Sequence, residues 1–496
     1  MPSVSKPLPL QPVSRLKLLM ALGATAALGG CAVGPNYTRP AVQLAPFHNA
    51  IAAEGFGRPA APEPPMDSWW VGFNDPMLVT VVQRALDQNL DLAASLARVR
   101  QARAAAMGAG AQLLPTADVD ASVTSERESL NGSTGSIGRA FPGFQRNSTE
   151  YLVGPQASWE LDLFGGLRRN AAAARDEMQA AEAEHTGTRI SVAADAADAY
   201  LQVRGYQARL TVAQQQVETD QRLLDLVRVR YRAEQADGRE VAQAEALLKQ
   251  AAALIQPLRI GLEVQLNRLD VLMGAQPGTY AQELQAASEI PRSPAVLRSD
   301  QPVDILRRRP DIIAAERRLA ASNERIGTAL SEYYPKISLS GAVGYDSLST
   351  GSLFTGDAFQ ATGVGSVRWR LFDFGKIDAE VRQARGANAE SLAVYRATVM
   401  KAAEDVEDAL VTVVQMQLHE QALEAQLTAL TRARDLAVQA YKAGSIPLTD
   451  VLDANRELLT LTDSLDETRA DTARAAVGAF RAMGGGWAPP ASVASR

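Results

Sequence analysis

The sequence predicts a mixed fold, all-α over most of its length with a membrane β-barrel part, in an internally duplicated chain. Segments that begin at Trp159 and Trp369 resemble each other at a separation of 210 positions. The run from Leu167 to Tyr231 contains no proline. As one helix it could extend roughly 95 Å, at about 1.5 Å per residue. Four shorter segments alternate apolar and polar residues, which is typical of strands.

The first thirty residues resemble a lipoprotein signal peptide. Basic residues precede an apolar run from Leu18 to Leu28, which is too short to span a membrane. The sequence Leu28-Gly29-Gly30-Cys31 then matches a lipobox. We therefore expect Cys31, the sole cysteine, to carry covalent N-acyl and S-diacylglycerol lipid. Ala32 rather than aspartate follows, which favours delivery to the outer membrane. An ordinary signal peptide followed by a coincidental cysteine is the alternative.

Two halves of the chain repeat each other at constant offsets. "WELDLFGGL" at Trp159 matches "WRLFDFGKI" at Trp369, whereas upstream "LDLAASLARVRQA" from Leu90 matches "PDIIAAERRLAAS" from Pro310 at an offset of 220. The ten-residue difference lies between Pro115 and Trp159, in a segment rich in glycine and serine, which predicts an exposed loop. We expect six regions: a signal peptide (1–30), an extended N-terminal segment (31–75), a first structural repeat (76–275), a linker (276–303), a second structural repeat (304–484) and a disordered tail (485–496).

Each repeat reads as helix, two strands and a long helical hairpin. Apolar residues alternate with polar ones in the segments around Val119, Val153, Leu339 and Val367, as in lipid-facing barrel strands. The alternation of the last segment continues through Trp369 and Leu371. A soluble, half-buried sheet is the alternative. Four strands cannot close a barrel, and lipid does not tolerate an open edge. Three chains that contribute twelve strands are the simplest solution.

The long helices carry a coiled-coil pattern. Leu210, Val217, Leu224 and Tyr231 recur every seven residues, and Ala213 and Val227 occupy the intermediate position. Arms of this length suit an object that reaches across the periplasm.

These motifs together resemble the outer-membrane factors of tripartite efflux systems, the TolC-like family, in its lipidated OprM/NodT branch. The matching stretches are "CAVGPNYTRP", "WWVGFNDPML", "WELDLFGG", "LRRRPDIIAAERRLAASNERIG", "YYPKISLSG" and "YKAGSIPLTDVLDANRELL". The segment "SDQPVDI" departs from the pattern that is usual in the family.

The resemblance implies a homotrimer whose twelve-stranded barrel in the outer membrane continues into a long periplasmic α-helical barrel. It implies a passive duct that exports small molecules. The partners would be a periplasmic adaptor protein, an inner-membrane transporter of the RND type, and outer-membrane lipid.

The two inter-helix turns, near Gly238 and Gly444, should form the periplasmic tip. Asp450 and Asp453 lie on one side of a helix and match the aspartate constriction of the family. Like charges on a three-fold axis repel one another and must separate or be compensated before the duct opens. The duplication places Glu240 and Gln243 at the equivalent positions. A solvated acidic face is the alternative.

A basic stripe precedes the first turn. Arg228, Arg230 and Arg232 alternate along "RVRYRAEQADG", and we expect them, with Tyr441, to contact the adaptor or a neighbouring protomer. A solvated charge run is the alternative. The run from Arg307 to Arg309 is better explained by Pro310 at a helix start than by nucleic acid.

Composition narrows the class of function. The net charge of −6 argues against nucleic acid as a partner, and one cysteine excludes a disulfide framework or a multi-cysteine metal site. Three scattered histidines and the absence of a Ser-His-Asp setting or phosphate loop make an enzyme the weakest reading. We therefore predict no catalytic residue, no metal site and no cofactor. A duct for secreted proteins and a pore-free structural lipoprotein remain as alternatives.

Overall fold

The structure, a computed structural model, describes residues 32–41, 45–49, 65–294 and 306–488. Its helices are α1 (Pro76–Gln88), α2 (Leu90–Ala111), α3 (Ser133–Gly138), α4 (Gly166–Arg232), α5 (Gly238–Leu272), α6 (Ala281–Leu284), α7 (Pro310–Ser331), α8 (Lys376–Lys442) and α9 (Leu448–Ala482). The strands are β1 (Thr116–Arg127), β2 (Asn147–Leu161), β3 (Lys336–Ser347) and β4 (Phe359–Arg368). Cys31, the signal peptide and residues 42–44 and 50–64 of the predicted extended segment lie outside the described residues.

The element bounds repeat along the chain. Helices α2 and α7 both have 22 residues, and β1 and β3 both have 12. Each pair begins 220 positions apart. Helices α4 and α8 both have 67 residues, and α5 and α9 both have 35, with starts 210 positions apart. The same local sequence signals therefore produce the same elements twice.

The four strands form one antiparallel sheet in the order β1-β2-β3-β4. The apolar residues of the alternating pattern share one face, because Val119 lies opposite Pro155 and Trp159 opposite Leu339. The last predicted strand is shorter than expected. It ends at Arg368, so Trp369 and Leu371 lie beyond it. The indole of Trp369 instead donates to the Tyr333 carbonyl at 2.9 Å, and the following Asp373 caps α8 by accepting from the Ile377 amide at 2.8 Å.

Between β1 and β2, the predicted exposed loop contains one short helix, α3. Most of its side chains are exposed, whereas Gly135 and Gly138 are buried. A Cβ atom at Gly138 would lie 2.6 Å from the Phe144 ring, so the turn depends on glycine at this position.

The chain divides into two compact units that do not coincide with the two repeats. One comprises Met1–Arg39, Gln101–Met178 and Arg317–Leu392, and it contains the sheet. The other comprises Pro40–Arg100, Gln179–Glu316 and Ala393–Arg496, and it contains both inter-helix turns. Each repeat therefore contributes to both units.

The predicted helical seam is partly wrong. Leu224, Val227 and Ala213 are buried, but Tyr231 is 52% exposed. The predicted seven-residue frame ends at Leu224, because Tyr231 lies in the last turn of α4, where the chain turns away. The seam position between Ala213 and Val227 is instead occupied by Asp220, which is buried.

The predicted disordered tail (485–496) begins with ordered residues, and its residues 489–496 lie outside the described ones. The Gly485 amide donates to the Phe480 carbonyl at 2.8 Å and the Gly486 amide to the Met66 carbonyl at 2.6 Å. Positive φ at Gly484 and Gly486 permits this reversal. The linker contains α6, whose Glu283 pairs with Arg84 at 3.0 Å.

Candidate functional site at the inter-helix turns

Two five-residue turns, 233–237 and 443–447, join the helices of the two hairpins. In the first, the Gln235 amide donates to the Arg230 carbonyl at 2.8 Å, and in the second the Ser445 amide donates to the Ala440 carbonyl at 3.0 Å. Each turn needs one residue in the left-handed region, Glu234 (φ 56°) and Gly444 (φ 73°). Both therefore end their helix with the bonding of a Schellman motif.

An apolar cluster from all four helices lies behind these turns. Its buried members are Leu224, Val227, Ala244, Leu247, Tyr441, Leu448, Val451 and Leu452. Because each helix of both hairpins contributes to it, the cluster holds the two turns beside each other.

Arg230 and Tyr441 join the two hairpins. The guanidinium carbon of Arg230 lies 4.3 Å from the Tyr441 ring centroid, and its Nη1 donates to the Tyr441 carbonyl at 3.0 Å. The Tyr441 hydroxyl in turn donates to Glu240 Oε2 at 3.3 Å. Burial raises the pKa of the Tyr441 phenol, which therefore keeps its proton and remains a donor. A charged, stacked and hydrogen-bonded contact thus links α4, α8 and α5.

The predicted aperture residues occupy two different environments. Asp450 and Asp453 are exposed on the first turns of α9. The Asp453 carboxylate accepts from Arg456 Nη1 at 3.2 Å, whereas Asp450 Oδ1 lies 3.4 Å from the Thr449 hydroxyl. Glu240 and Gln243, at the equivalent positions of α5, are half-buried. The structure therefore brings Glu240 to Tyr441 and leaves the two aspartates at the surface of the single chain.

The three arginines of the basic stripe also lie in different environments. Arg230 packs on Tyr441, whereas Arg232 is exposed and Arg228 is half-buried, 4.0 Å from Asp225. Alternate residues lie on different faces of a helix, so these three arginines do not form one surface.

Asp220 is a polar group near the turns that the sequence reading missed. Its side chain accepts from Gln216 Nε2 at 2.8 Å through Oδ1, while Oδ2 has no hydrogen-bond partner among the described residues. Burial raises the pKa of this carboxyl to about 6, although the hydrogen bond from Gln216 opposes the shift. The seven-residue spacing from Ala213 through Asp220 to Val227 is the sequence signal that could have identified it.

The chain that follows the predicted lipid site is fixed in place. The Val33 amide donates to the Phe164 carbonyl at 3.0 Å, and Arg169 Nη2 donates to the Asn36 side chain at 2.9 Å. Arg169 also pairs with Glu324 at 2.8 Å. A Cβ atom on Gly34 would lie only 2.6 Å from the Gly327 backbone. We call residues 32–36 with these partners the N-terminal clamp.

No group of three or more His, Cys, Asp or Glu side chains in the described ranges is arranged to hold a metal ion. None of the helices described is both long and apolar enough to cross a membrane.

Comparisons with known proteins give consistent results. The family model described as outer membrane efflux protein matches residues 81–275 and 302–485. The pyoverdine export outer membrane protein OpmQ of Pseudomonas aeruginosa is 30% identical over 489 residues, which is 95% of this chain and 97% of that protein. Nodulation protein T of Rhizobium leguminosarum bv. trifolii is 29% identical over 464 residues, which is 94% of this chain and 96% of that protein. The solved structure of the outer-membrane channel OprN has a TM-score of 0.84 and 30% identity, covering 92% of this chain and all of that one.

Proposed function

This chain belongs to the outer membrane efflux protein family, and we propose that it works as a homotrimeric, lipid-anchored exit duct for small molecules. The chain is an outer-membrane efflux channel that extends into the periplasm, and it has the fold of TolC-like channels. The resemblance, the function and the location predicted from the sequence are thereby confirmed. Proteins of this family are channels rather than enzymes.

The homotrimer is proposed on the strength of the sheet. In the described residues β1 pairs only with β2 and β4 only with β3, so a single copy leaves two open edges. Unpaired backbone groups are costly in lipid. Three copies give twelve strands, enough to enclose a polar lumen.

The cargo is proposed to be small molecules. OpmQ is named for pyoverdine export, and this chain matches it over nearly the full length of both proteins. Other relatives are named for toluene and solvent efflux, and such names favour small cargo over secreted proteins. The four paired strands argue against a pore-free structural lipoprotein, because a coiled-coil spacer does not require a β-sheet.

We propose that a periplasmic adaptor and an inner-membrane transporter of the RND type complete the system, and that the transporter supplies the energy. The turn region, with exposed Asp450, Asp453 and Arg232, offers charged groups to such partners. The duct itself needs no bound cofactor.

We propose that Asp450 and Asp453 form the periplasmic aperture of the duct, which can be tested by single-channel conductance. Exposed carboxylates that stand on the first turns of α9 would meet their copies around a three-fold axis, where they repel one another and attract cations. The observation that carries the assignment is that the adjacent Val451 and Leu452 are buried in the turn cluster, so the aspartates face away from it.

Replacing both Asp450 and Asp453 with alanine should raise single-channel conductance in planar bilayers by about twofold or more, because the closed ring loses its cation contacts. Glu457→Ala is the matched control, since Glu457 is an exposed acid one turn further along α9. It should leave conductance unchanged. Equal conductance of the double variant and the unmodified protein would remove these residues from the aperture.

Lipid attachment at Cys31 is also proposed, on the lipobox alone. The Cys31→Ser variant should lose all metabolic labelling with a radioactive fatty acid, because no other cysteine exists in the chain. Label that persists in this variant would place the lipid elsewhere or show that the protein binds it without a covalent bond.

A further inference from the structure

The apolar face of the sheet is charged only where the strands meet the loops. Among the residues of the four strands, this face carries one charged side chain, that of Arg127, the last residue of β1. Arg127 lies opposite Asn147, the first residue of β2. Alternation places the neighbouring Glu126 on the polar face. The apolar face therefore ends in a cation that has no acid beside it on the same face.

This end of the sheet faces the exterior of the cell. All four strands join helices at the other end, because α2 precedes β1, α4 follows β2, α7 precedes β3 and α8 follows β4. The end that carries Arg127 has only the loops 128–146 and 348–358. Because the long helices extend into the periplasm, these loops lie on the outer side of the outer membrane.

The height of Arg127 on the sheet corresponds to the outer lipid headgroups. Trp159, at the helix end of the apolar face, is twelve positions from Asn147, the partner of Arg127. Twelve positions span about 40 Å along a strand, and about 30 Å in height at the usual tilt of barrel strands. The apolar band of an outer-membrane barrel is about 25 Å tall, with aromatic residues at its edges. Tyr151 and Tyr345 lie on this face between Trp159 and the loops, so Arg127 lies just beyond the band.

Two further arginines of the loop 128–146 accompany Arg127. The Arg146 side chain donates through Nε to the Glu128 carbonyl at 2.9 Å, and Arg139 donates through Nη2 to the Asn131 side chain at 3.0 Å. All three arginines are exposed. None of them forms an ion pair with a carboxylate among the described residues. Their positive charges are therefore available to an external anion.

We infer that Arg127, Arg139 and Arg146 bind the phosphate groups of lipopolysaccharide, the phosphorylated glycolipid of the outer leaflet. A guanidinium matches the geometry of a phosphate and forms paired, charge-assisted hydrogen bonds with it. Residues 127–146 contain three arginines and one acid, a net charge of +2 in a chain whose net charge is −6. The inference rests on the proposed function, in which the apolar face of the sheet contacts membrane lipid.

Apolar side chains beside the arginines favour a lipid over a free anion. Ile137 and Phe141, two positions before and after Arg139, are 64% and 65% exposed. Ile137 belongs to the short helix α3, so this part of the loop is already folded before any ligand arrives. A folded loop that presents both cations and large apolar groups suits an amphipathic ligand, because little conformational freedom is lost on binding.

The second repeat supplies an internal comparison. The offset of 220 maps Arg127 onto Ser347, the last residue of β3. The loop 348–358 contains one acid, Asp357, and no basic residue. The duplicated sheet therefore does not require an arginine at this position, and the binding surface belongs to the first repeat alone. A trimer would offer three such surfaces rather than six.

Binding can be measured by native mass spectrometry of the purified full chain in detergent, titrated with lipid A that carries two phosphates. The Arg127→Gln/Arg139→Gln/Arg146→Gln variant should bind lipid A about tenfold more weakly, because the phosphates lose their charge-assisted hydrogen bonds. Arg127→Lys keeps the charge but not the paired geometry, and should weaken binding about threefold.

Arg368→Gln is the matched control. Arg368 is an exposed arginine of the same sheet, but it lies on the polar face at the helix end, opposite Lys336. Its replacement removes the same charge and should leave the affinity for lipid A unchanged. An equal loss of affinity in this control and in the triple variant would show that lipid A responds only to overall charge, and would overturn the inference.

Two further lipids identify the source of the phosphate. Lipid A without phosphates should bind the unmodified protein as weakly as intact lipid A binds the triple variant. Phosphatidylglycerol, whose phosphate belongs to an ordinary phospholipid, should bind equally to the unmodified protein and the triple variant. If phosphatidylglycerol instead shows the same affinity and the same loss as lipid A, the assignment to lipopolysaccharide is wrong.

Single-channel conductance of the same samples separates this inference from the proposed function. A triple variant that conducts normally and binds lipid A as tightly as the unmodified protein would overturn the lipid site and leave the channel intact. Loss of lipid A binding with normal conductance would support the site and show that the variant is folded. An unmodified protein with neither conductance nor affinity for lipid A would overturn both.

Discussion

At the scale of single residues, Asp220 places an ionisable group inside apolar helix packing. It lies one heptad from Val227 in the turn cluster and is 1% exposed. The side chain of Asp220 accepts one hydrogen bond, from Gln216, and its second carboxylate oxygen has no hydrogen-bond partner among the described residues. The raised pKa of Asp220 has burial as its main cause.

Asp220→Asn should stabilise the protein at neutral pH by about 1 to 3 kcal/mol. The pKa is about 6 in the folded chain against 3.8 for a free carboxyl, so the penalty of the buried carboxylate is present above pH 6. It disappears as the pH falls through 6 toward 4. Thermal unfolding followed by circular dichroism should therefore show an Asn variant with a higher Tm at about pH 7.5 and no advantage at about pH 4.

Asp225→Asn is the control for this measurement, because Asp225 lies on the same helix but is exposed. Its effect on Tm should be small at both pH values. An Asp220→Asn variant whose Tm differs from that of the unmodified protein by the same amount at both pH values would show that the carboxyl does not titrate in the folded chain.

The sequence predicts the acidic residues beside the turns but not the buried carboxyl of Asp220. Asp450, Asp453 and Glu240 are predictable because they follow a turn, and Asp450 and Glu240 occupy equivalent positions at an offset of 210. Asp220 was missed because a heptad is recognised by its apolar members, and a carboxyl in that frame is read as solvent-exposed. The contact of Arg230 with Tyr441 could not be read either, since it joins helices more than 200 residues apart.

At the scale of elements, the N-terminal clamp depends on two glycines that touch. A Cβ atom on Gly327 would lie 2.9 Å from the Val33 carbonyl and 3.0 Å from Arg169 Nε. Neither neighbour can move freely, because Val33 is bonded to Phe164 and Arg169 to Glu324. The segment that follows Cys31 is therefore held by shape as well as by charge.

Gly327→Val should displace this segment from α7. Overpacking of this kind costs about 1 to 3 kcal/mol, enough to raise the exposed population of the segment about tenfold. An Asn36→Cys probe in the Gly327→Val background should then react faster with a maleimide-linked polymer than the same probe in the unmodified background. Gly386→Val is the matched control, because a Cβ atom there meets nothing within 4 Å. Equal labelling rates in all three backgrounds would show that the clamp does not depend on this contact.

The helices and strands could largely be predicted from the sequence, but the contacts between segments distant in sequence could not. Proline-free length and alternation predicted the long helices and the strands, because these patterns are local. The clamp and the ordered residues after Gly484 were missed, because both depend on segments distant in sequence that meet only in the fold. Alternation alone predicts that the last strand includes Trp369, but its pairing with β3 ends at Arg368, which lies opposite Lys336, the first residue of β3.

At the scale of the whole molecule, the sheet separates charge onto one face. The constant register places six acids on the polar face, Asp118, Asp120, Glu126, Glu150, Glu160 and Asp346, with two bases, Lys336 and Arg368. The opposite face carries Arg127 at its end and is otherwise uncharged. If the polar face lines the lumen, as in other membrane barrels, three copies surround the path with a strong excess of negative charge.

The assembled duct should therefore prefer cations, because a lumen of one sign concentrates counter-ions and excludes co-ions. The measurement is the reversal potential of the channel in a planar bilayer under a potassium chloride gradient, with an expected potassium-to-chloride permeability ratio of roughly two or more. Asp118→Asn/Asp120→Asn should lower that ratio without closing the channel, since both residues belong to the sheet and not to the turns. The Asp450 and Asp453 variants separate the contribution of the turns, because they should change conductance more than selectivity. A channel that prefers chloride, or one whose selectivity is the same after loss of Asp118 and Asp120, would show that the acidic face does not line the conducting path.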